Sequence, residues 1–147
     1  MDVPQILEQI AAVKSDIADH SDWSEEKGYL HPKSLNALVQ VGVPRFFLPK
    51  QLGGFEISPV DCALITESIA DIDPSAAWHV MVYNAARLAG ASWTEELVEL
   101  VWGCDPDALV SASGNSPFEA RDKGDYYQID GVNHFASGCR HAKWMLS

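Results

Sequence analysis

Cysteine is scarce in this sequence and basic residues are few. Cys62, Cys104 and Cys139 are odd in number, widely spaced and without a CxxC pair, which counts against both a disulfide framework and a zinc knuckle and leaves three reduced thiols. Ten Lys and Arg face twenty-one Asp and Glu, for a formal charge of −11. A chain this acidic repels phosphate backbones and anionic lipid, so neither a nucleic acid nor a membrane is an expected partner. No apolar run is long enough to span a bilayer, and no early stretch pairs a basic end with an apolar core. The expected location is therefore cytoplasmic. Internal repeats and low-complexity segments are also missing. His134, Cys139 and His141 match no standard metal-ligand spacing and lack a fourth ligand, so no metal is expected.

What remains is an ordinary globular composition, 47% hydrophobic and 21% charged over 147 residues, enough for one domain or for one and the start of another. Ile6, Ile10, Val13 and Ile17 recur at helical steps, predicting a packing helix from Val3 to about His20. Pro32 opens a second helix that stops at Gly42. The segment from Val43 to Phe55, with two prolines and a double glycine, reads as a structured loop. Ser58-Pro59-Val60-Asp61 starts a third helix, running to about Ala70. Asp73-Pro74-Ser75 starts a fourth, alanine-rich and close-packing, which ends near Gly90. Ser92-Trp93-Thr94-Glu95 has capping-box spacing and opens a short fifth helix through Trp102.

After Gly103 the pattern changes to short extended runs at Ala108 to Ser113, Tyr126 to Ile129 and Val132 to Ala136. Asp130-Gly131 reads as the hairpin turn between the last two. The expected fold class is α+β, an all-α unit over residues 1–104 followed by the opening strands of a β unit over residues 105–147. So few strands would leave an unpaired edge, which complete domains avoid. The most feature-dense stretch runs from Asp130 to Trp144, where a glycine turn, Phe135, a Ser137-Gly138 pair, Cys139, His141 and Trp144 follow in close order.

Several blocks taken in order resemble the acyl-CoA dehydrogenase superfamily, and within it the two-component flavin-dependent monooxygenases. They are Leu48-Pro49 with Gly53-Gly54-Phe55-Glu56, Asp73 to Trp78, Pro106-Asp107-Ala108-Leu109-Val110, and Gly131 followed by Phe135-Ala136-Ser137-Gly138-Cys139, His141-Ala142 and Trp144. The resemblance implies a helical domain, a barrel-like middle β domain and a C-terminal helix bundle, with this sequence supplying the first and the opening of the second. It implies a flavin, FAD or FMN, bound in reduced form. Ser137 matches the hydroxyl that bonds the ring near N5 and is the candidate catalytic residue, with Gly138 beside it. Phe135 matches a position commonly occupied by tryptophan. Asn115 and Ser113 match the strand end that faces the pyrimidine edge, although Phe118-Glu119-Ala120 departs from the small residues usual beyond it. A donor fixed near N5 suits a ring whose charge changes there, and an adjacent glycine admits close approach.

Hydroxylation of an aromatic or other small organic substrate through a flavin C4a-hydroperoxide is the implied activity. A separate flavin reductase would be the partner, and the full-length molecule a homo-oligomer. An FAD-dependent acyl-CoA dehydrogenase is the alternative, disfavoured by Phe135 and the altered turn after Pro117. A non-catalytic truncated product or domain is the third reading; the dehydrogenases' base comes from the bundle, so little turnover is expected from these residues by themselves. Without the resemblance, Ser137-Gly138 is a hairpin turn, Phe135 a core strand aromatic, Trp78 a core residue of its helix and His141 a satisfied or exposed histidine. Glu25, Glu26, Glu95, Glu96 and Glu99 read as solvated helix faces.

Overall fold

A computed structural model describes residues 1–114 and 119–146 of the chain. Seven helices come first: α1 (Val3–Ala12), α2 (Lys14–Ala18), α3 (Ser21–Lys27), α4 (Pro32–Val41), α5 (Pro59–Ala70), α6 (Pro74–Gly90) and α7 (Glu95–Val98), the last continuing as a π-turn over Glu99–Gly103. Four strands follow: β1 (Val110–Ala112), β2 (Glu119–Asp122), β3 (Tyr127–Asp130) and β4 (Trp144–Leu146). The mixed helix-then-strand order agrees with the expected α+β class.

Helix starts lie where capping chemistry puts them. Ser58 accepts from the Asp61 amide at 3.1 Å and Asp73 from the Ser75 amide at 2.8 Å, each ahead of a proline in the first turn. His31 caps α4 through its ring, with Nδ1 accepting from the Lys33 amide at 3.1 Å. The cap of α7 is Thr94, two residues beyond the expected Ser92, and its hydroxyl accepts from the Leu97 amide.

The single helix expected from Val3 to His20 is two helices. Val13 leaves helical geometry at φ −101°, ψ 10°, yet the stripe survives the break, with Ile6, Ile10 and Ile17 all buried. α3 carries no regular apolar stripe and was not expected. It buries only Ser24, whose hydroxyl donates to the His20 carbonyl and accepts from the His31 amide, and its Trp23 packs edge-on against Tyr29 and His31, contacts that periodicity does not register.

One core joins Ile6, Ile10, Ile17, Leu38, Phe46, Ile65, Ile69 and Val80 across α1, α2, α4, α5 and α6. A second, under β1, gathers Leu48, Ala86, Val101, Trp102, Ala108 and Val110. Trp93 stacks on Trp102 at 5.3 Å between centroids. The bidentate pair of Arg45 with Asp107 ties the loop after α4 to the entrance of β1; this hydrogen bonding, ahead of the cost of desolvation, raises the Arg45 pKa above its ordinary value. Trp78, expected in the core, is 54% exposed on the outer face of α6 with Met81 and Leu88. The buried face of that helix is filled by Ala76, Ala77, Val80, Tyr83, Ala86 and Arg87, and Trp78 is turned away from it.

The hairpin forms one step earlier than its strongest dipeptide suggests. β3 pairs antiparallel with β2, Asp122 opposite Tyr127, and the turn is made at 123–126. There Gly124 adopts φ +89° while its amide bonds the Asp122 carboxylate at 2.8 Å. Residues 132–136 form no strand. β4 instead returns to lie parallel to β1, with Val110 opposite Trp144 and Ala112 opposite Leu146. A parallel pairing across more than thirty intervening positions is not signalled by any local turn.

These burials set the mutational sensitivity of the helices. Ile65→Ala, in the middle of the first core, is expected to lower unfolding free energy by about 2–5 kcal/mol in urea denaturation. Val60→Ala on the same helix, at 69% exposure, is expected to change it by less than about 0.5 kcal/mol.

Candidate functional site

The turn over residues 136–142 is the structural centre of the sequence motif. Cys139 N–H donates to the Ala136 carbonyl at 3.1 Å, and the amides of His141 and Ala142 both donate to Gly138 at 3.1 and 3.2 Å. Lys143 N–H then reaches the Leu109 carbonyl at 2.9 Å and launches β4. Two side chains from outside hold this turn. Ser111 Oγ, on β1, donates to the Ser137 carbonyl at 2.8 Å, and Tyr83 Oη, on α6, donates to the Gly138 carbonyl at 3.2 Å.

Gly138 sits at φ +79°, and a Cβ there would meet the Tyr83 ring at 2.7 Å. Positive φ and lack of space both require glycine at this position. The close approach that the sequence reading reserves for a flavin ring is thus made by a tyrosine of the protein. Burial raises the Tyr83 pKa well above its ordinary value, with the nearby Cys139 adding to the shift, so its hydroxyl remains a donor.

A cavity of about 480 Å³ opens beside the turn, and Ser137 and Gly138 form part of its wall. α3 and the following loop contribute Ser24, Glu25 and Tyr29; the first turns of α6 contribute Trp78 and His79. Ser137 gives its carbonyl to Ser111, while its hydroxyl has no hydrogen bond among the described residues. Ser113 is buried, and its hydroxyl donates to the His134 carbonyl at 2.7 Å, fixing the segment that leads into the turn. Phe135 is 87% exposed at φ +56°. It is not the core strand aromatic of the alternative reading, since no strand forms there. Asn115 lies outside the described residues. The structure therefore brings Ser113, Ser137 and Gly138 to one corner through β1 and the turn, and leaves the Phe135 ring projecting next to them.

His79, Tyr83 and Tyr29 are additions that the sequence reading missed. His79 and Tyr83 are four apart on the buried face of α6, the face marked by Ala76, Ala86 and Gly90. A histidine and a tyrosine at helical spacing within such a small-residue face were the available signal. His79 Nδ1 lies 2.8 Å from the Ser75 carbonyl. The His141 ring is 6.5 Å from that of His79 and 5.7 Å from that of Tyr29, and its Nε2 is buried with no hydrogen-bond partner among the described residues. Desolvation, then the charges of His79 and Arg140, pull its pKa below the ordinary value, against a hydrogen bond to the Leu30 backbone that raises it. Arg140 stacks on Tyr29 with 4.7 Å between guanidinium carbon and ring centroid.

A larger cavity, about 740 Å³, lies towards the other end of α6 between Phe47, Leu52, Arg87, Trp93 and Trp102. None of the candidate residues lines it, so size alone does not identify the site. No group of three His, Cys, Asp or Glu side chains among the described residues has the arrangement of a metal centre. No helix among them is long and apolar enough to cross a membrane.

No family model matches the chain. Individual proteins do. The chain is 27% identical over 141 residues to the oxygenase subunit HsaA, a flavin-dependent monooxygenase of Rhodococcus jostii, covering 95% of this chain and 37% of that one. It is 27% identical over 142 residues to the oxygenase component of p-hydroxyphenylacetate 3-hydroxylase of Acinetobacter baumannii, covering 96% and 33%. The crystal structure of the HsaA monooxygenase from M. tuberculosis superposes with a TM-score of 0.89 at 26% identity, over 99% of this chain and 40% of that one. Its relatives are the oxygenase components of flavin-dependent monooxygenases.

XiaF from Streptomyces sp., solved in complex with FADH2 and glycerol, superposes with a TM-score of 0.93 at 19% identity, a likeness of fold alone. The chain thus has the architecture of the N-terminal part of these acyl-CoA dehydrogenase-like monooxygenases. It spans about a third to two-fifths of the length of the relatives it matches.

The lowered pKa of His141 fixes a sign for pH dependence. Its folded-state value lies below the ordinary 6.5, so in that window the unfolded chain binds more protons, and stability falls as pH falls below 6.5. Thermal unfolding followed across this range should show the midpoint dropping on acidification, with a shallower drop in His141→Gln. The residual slope is expected from His31, whose pKa desolvation, His20 and Lys33 also lower.

Proposed function

We propose that this chain belongs to an oxygenase component that uses reduced flavin, FMN or FAD, to hydroxylate an aromatic or other small organic substrate. A separate reductase delivers the flavin. The observation that carries the reading is the Ser137 hydroxyl. It stands on a cavity wall, uncommitted among the described residues, on a turn held from two sides by Ser111 and Tyr83. A donor immobilised before its ligand arrives loses little freedom on binding, which is what recognition of a ring nitrogen or carbonyl needs.

The Ser137 hydroxyl suits a flavin edge: it would hold the polar edge of the ring, with the exposed Phe135 ring as an apolar contact, while the Ser113 hydroxyl, donated to the His134 carbonyl, would brace the segment that leads into the turn. When bound, reduced flavin supplies the two electrons with which dioxygen is activated and one oxygen atom is inserted into the substrate. The residues of this chain position and shield. Gly138 keeps the turn seated on Tyr83, and Tyr29 and Trp78 provide aromatic walls that limit water at the reacting centre. Residues 1–104 form the helical unit and residues 105–147 the opening of the β unit, in a molecule that assembles as a homo-oligomer. The relatives' descriptions as oxygenase components of flavin-dependent systems, at low identity but along nearly the whole chain, support this reading over the acyl-CoA dehydrogenase alternative.

Anaerobic titration of the purified chain with dithionite-reduced FMN and FAD, followed by flavin fluorescence, tests the assignment. Binding is expected to weaken about three- to tenfold in Ser137→Ala, the loss of one hydrogen bond. Equal affinity of the two proteins, or no binding of either reduced flavin, would contradict it.

A further inference from the structure

The turn that carries Ser137 grips the loop between α3 and α4 with two consecutive side chains. Arg140 stacks on Tyr29, 4.7 Å from guanidinium carbon to ring centroid. His141 makes a hydrogen bond to the Leu30 backbone, and its ring centroid is 5.7 Å from that of Tyr29. Tyr29 and Leu30 are neighbours in the short loop 28–31, between Gly28 at the end of α3 and His31 at the cap of α4. Leu30 is fully buried in the first core, whereas Tyr29 stands on the wall of the cavity that Ser137 and Gly138 also line. Arg140 and His141 thus join one wall of that cavity to the turn that forms another.

The two contacts respond differently to a proton. A guanidinium stays charged throughout the ordinary pH range. An imidazole does not, and the surroundings of His141 oppose its charging. The charged ring would be a second cation beside Arg140, and its Nε2 would become a donor at a buried position with no hydrogen-bond partner among the described residues. The Leu30 bond favours the charged form, but desolvation together with the charges of His79 and Arg140 outweighs it, and no carboxylate contributes to the balance. The other titratable groups of this corner are Tyr83 on α6, Tyr29 on the loop, Cys139 on the turn and Glu25 in the cavity lining.

We propose that Arg140 and His141 are positioning residues that hold Tyr29 against the Ser137 corner, and that one proton on His141 releases the loop and opens the cavity wall. The inference rests on the reading of that corner as the ligand site, to which it adds a wall controlled by pH. The sign follows from linkage. In the released loop the ring regains water and titrates near the ordinary 6.5, above its value in the held loop. The released form therefore binds more protons and gains population as pH falls below 6.5, levelling off once the held ring is charged as well.

Hydrogen exchange followed by NMR on the 147-residue chain without flavin tests this. Protection, corrected for intrinsic exchange, is read at four amides: Gly28 and His31, which donate to the carbonyl and hydroxyl of Ser24, and His141 and Ala142, which donate to the Gly138 carbonyl. The amide of residue 31 is followed in a chain carrying His31→Asn, because asparagine caps a helix without titrating and so removes the second proton-sensitive group of the loop. All further variants are made in that chain. Lowering the pH from about 7.5 to about 5 is expected to reduce protection at the four amides and not at Ala77, whose amide donates to Asp73 within the first core. In His141→Gln, which cannot charge, that pH dependence should vanish. Arg140→Gln should lower protection about two- to fivefold at neutral pH through the lost stacking. It should also raise the His141 pKa read from imidazole ¹⁵N shifts, whereas Arg140→Lys, which keeps the charge, should leave that pKa in place. A role in packing alone would not move it. Protection independent of pH, a dependence that survives His141→Gln, an equal loss at Ala77, or an unchanged His141 pKa in Arg140→Gln would each overturn the proposal. None of these readings uses flavin. A chain with the pH-dependent loop that binds no reduced flavin keeps the device and loses the oxygenase reading, and one that binds flavin behind a pH-independent loop does the reverse.

Discussion

The buried guanidinium of Arg87 is the contact on which the arrangement of this molecule depends. It is 3% exposed on α6, and its Nη2 donates to the carbonyls of Pro106 at 2.8 Å and Ala108 at 3.0 Å, just before β1 begins. Trp102 Nε1 donates to the same Ala108 carbonyl at 3.2 Å, and the guanidinium packs over the Trp102 ring. Desolvation lowers the Arg87 pKa to about 10, partly offset by Asp107 and Asp105. The cation is retained despite that cost because two backbone carbonyls at the end of a loop need donors where water is excluded. Its effect is geometric: β1 starts at one place on α6.

Everything at the candidate site is referred to that fixed start. With β1 in register, Ser111 and Ser113 project towards the later turn and take the Ser137 and His134 carbonyls, while Tyr83, one turn before Arg87 on the same helix, takes Gly138. The turn is therefore clamped between a helix and a strand that Arg87 holds together. The Ser137 hydroxyl is carried on this clamped turn and makes no hydrogen bond of its own among the described residues. The anchoring falls on the backbone carbonyls of Ser137 and Gly138. On the helix side, His79 Nδ1 meets the Ser75 carbonyl at 2.8 Å.

How much of this was legible in the sequence varies with the range of the interaction. The starts of α4, α5 and α6 were readable because Pro32, Pro59 and Pro74 bring no amide to a first turn that would leave it unbonded, and Ser58 and Asp73 accept from amides within three residues. The break at Val13 was not, because an apolar stripe continues across it and periodicity cannot see a local change in ψ. Asp130-Gly131 carried the stronger hairpin dipeptide, yet Gly124 made the turn, since Asp122 could cap its amide and β2 lay in the right register to pair. Trp78 reads as a core residue because a helix rich in alanine looks apolar all round, yet it is 54% exposed. Which face is buried was settled by where α5 and β1 pack.

By itself the sequence determined the starts of α4, α5 and α6, the acidic charge, and the Ser-Gly pair within a flavoprotein-like order of motifs. Those are local or additive properties, set by capping, composition and spacing. Only the tertiary structure decided that β4 pairs with β1, that Gly138 answers to Tyr83, and that His79 and Tyr29 share a cavity with Ser137. Each of these joins residues far apart in the chain through a buried hydrogen bond or a close contact. No window of sequence contains both partners, so the pairing exists only once the chain has packed.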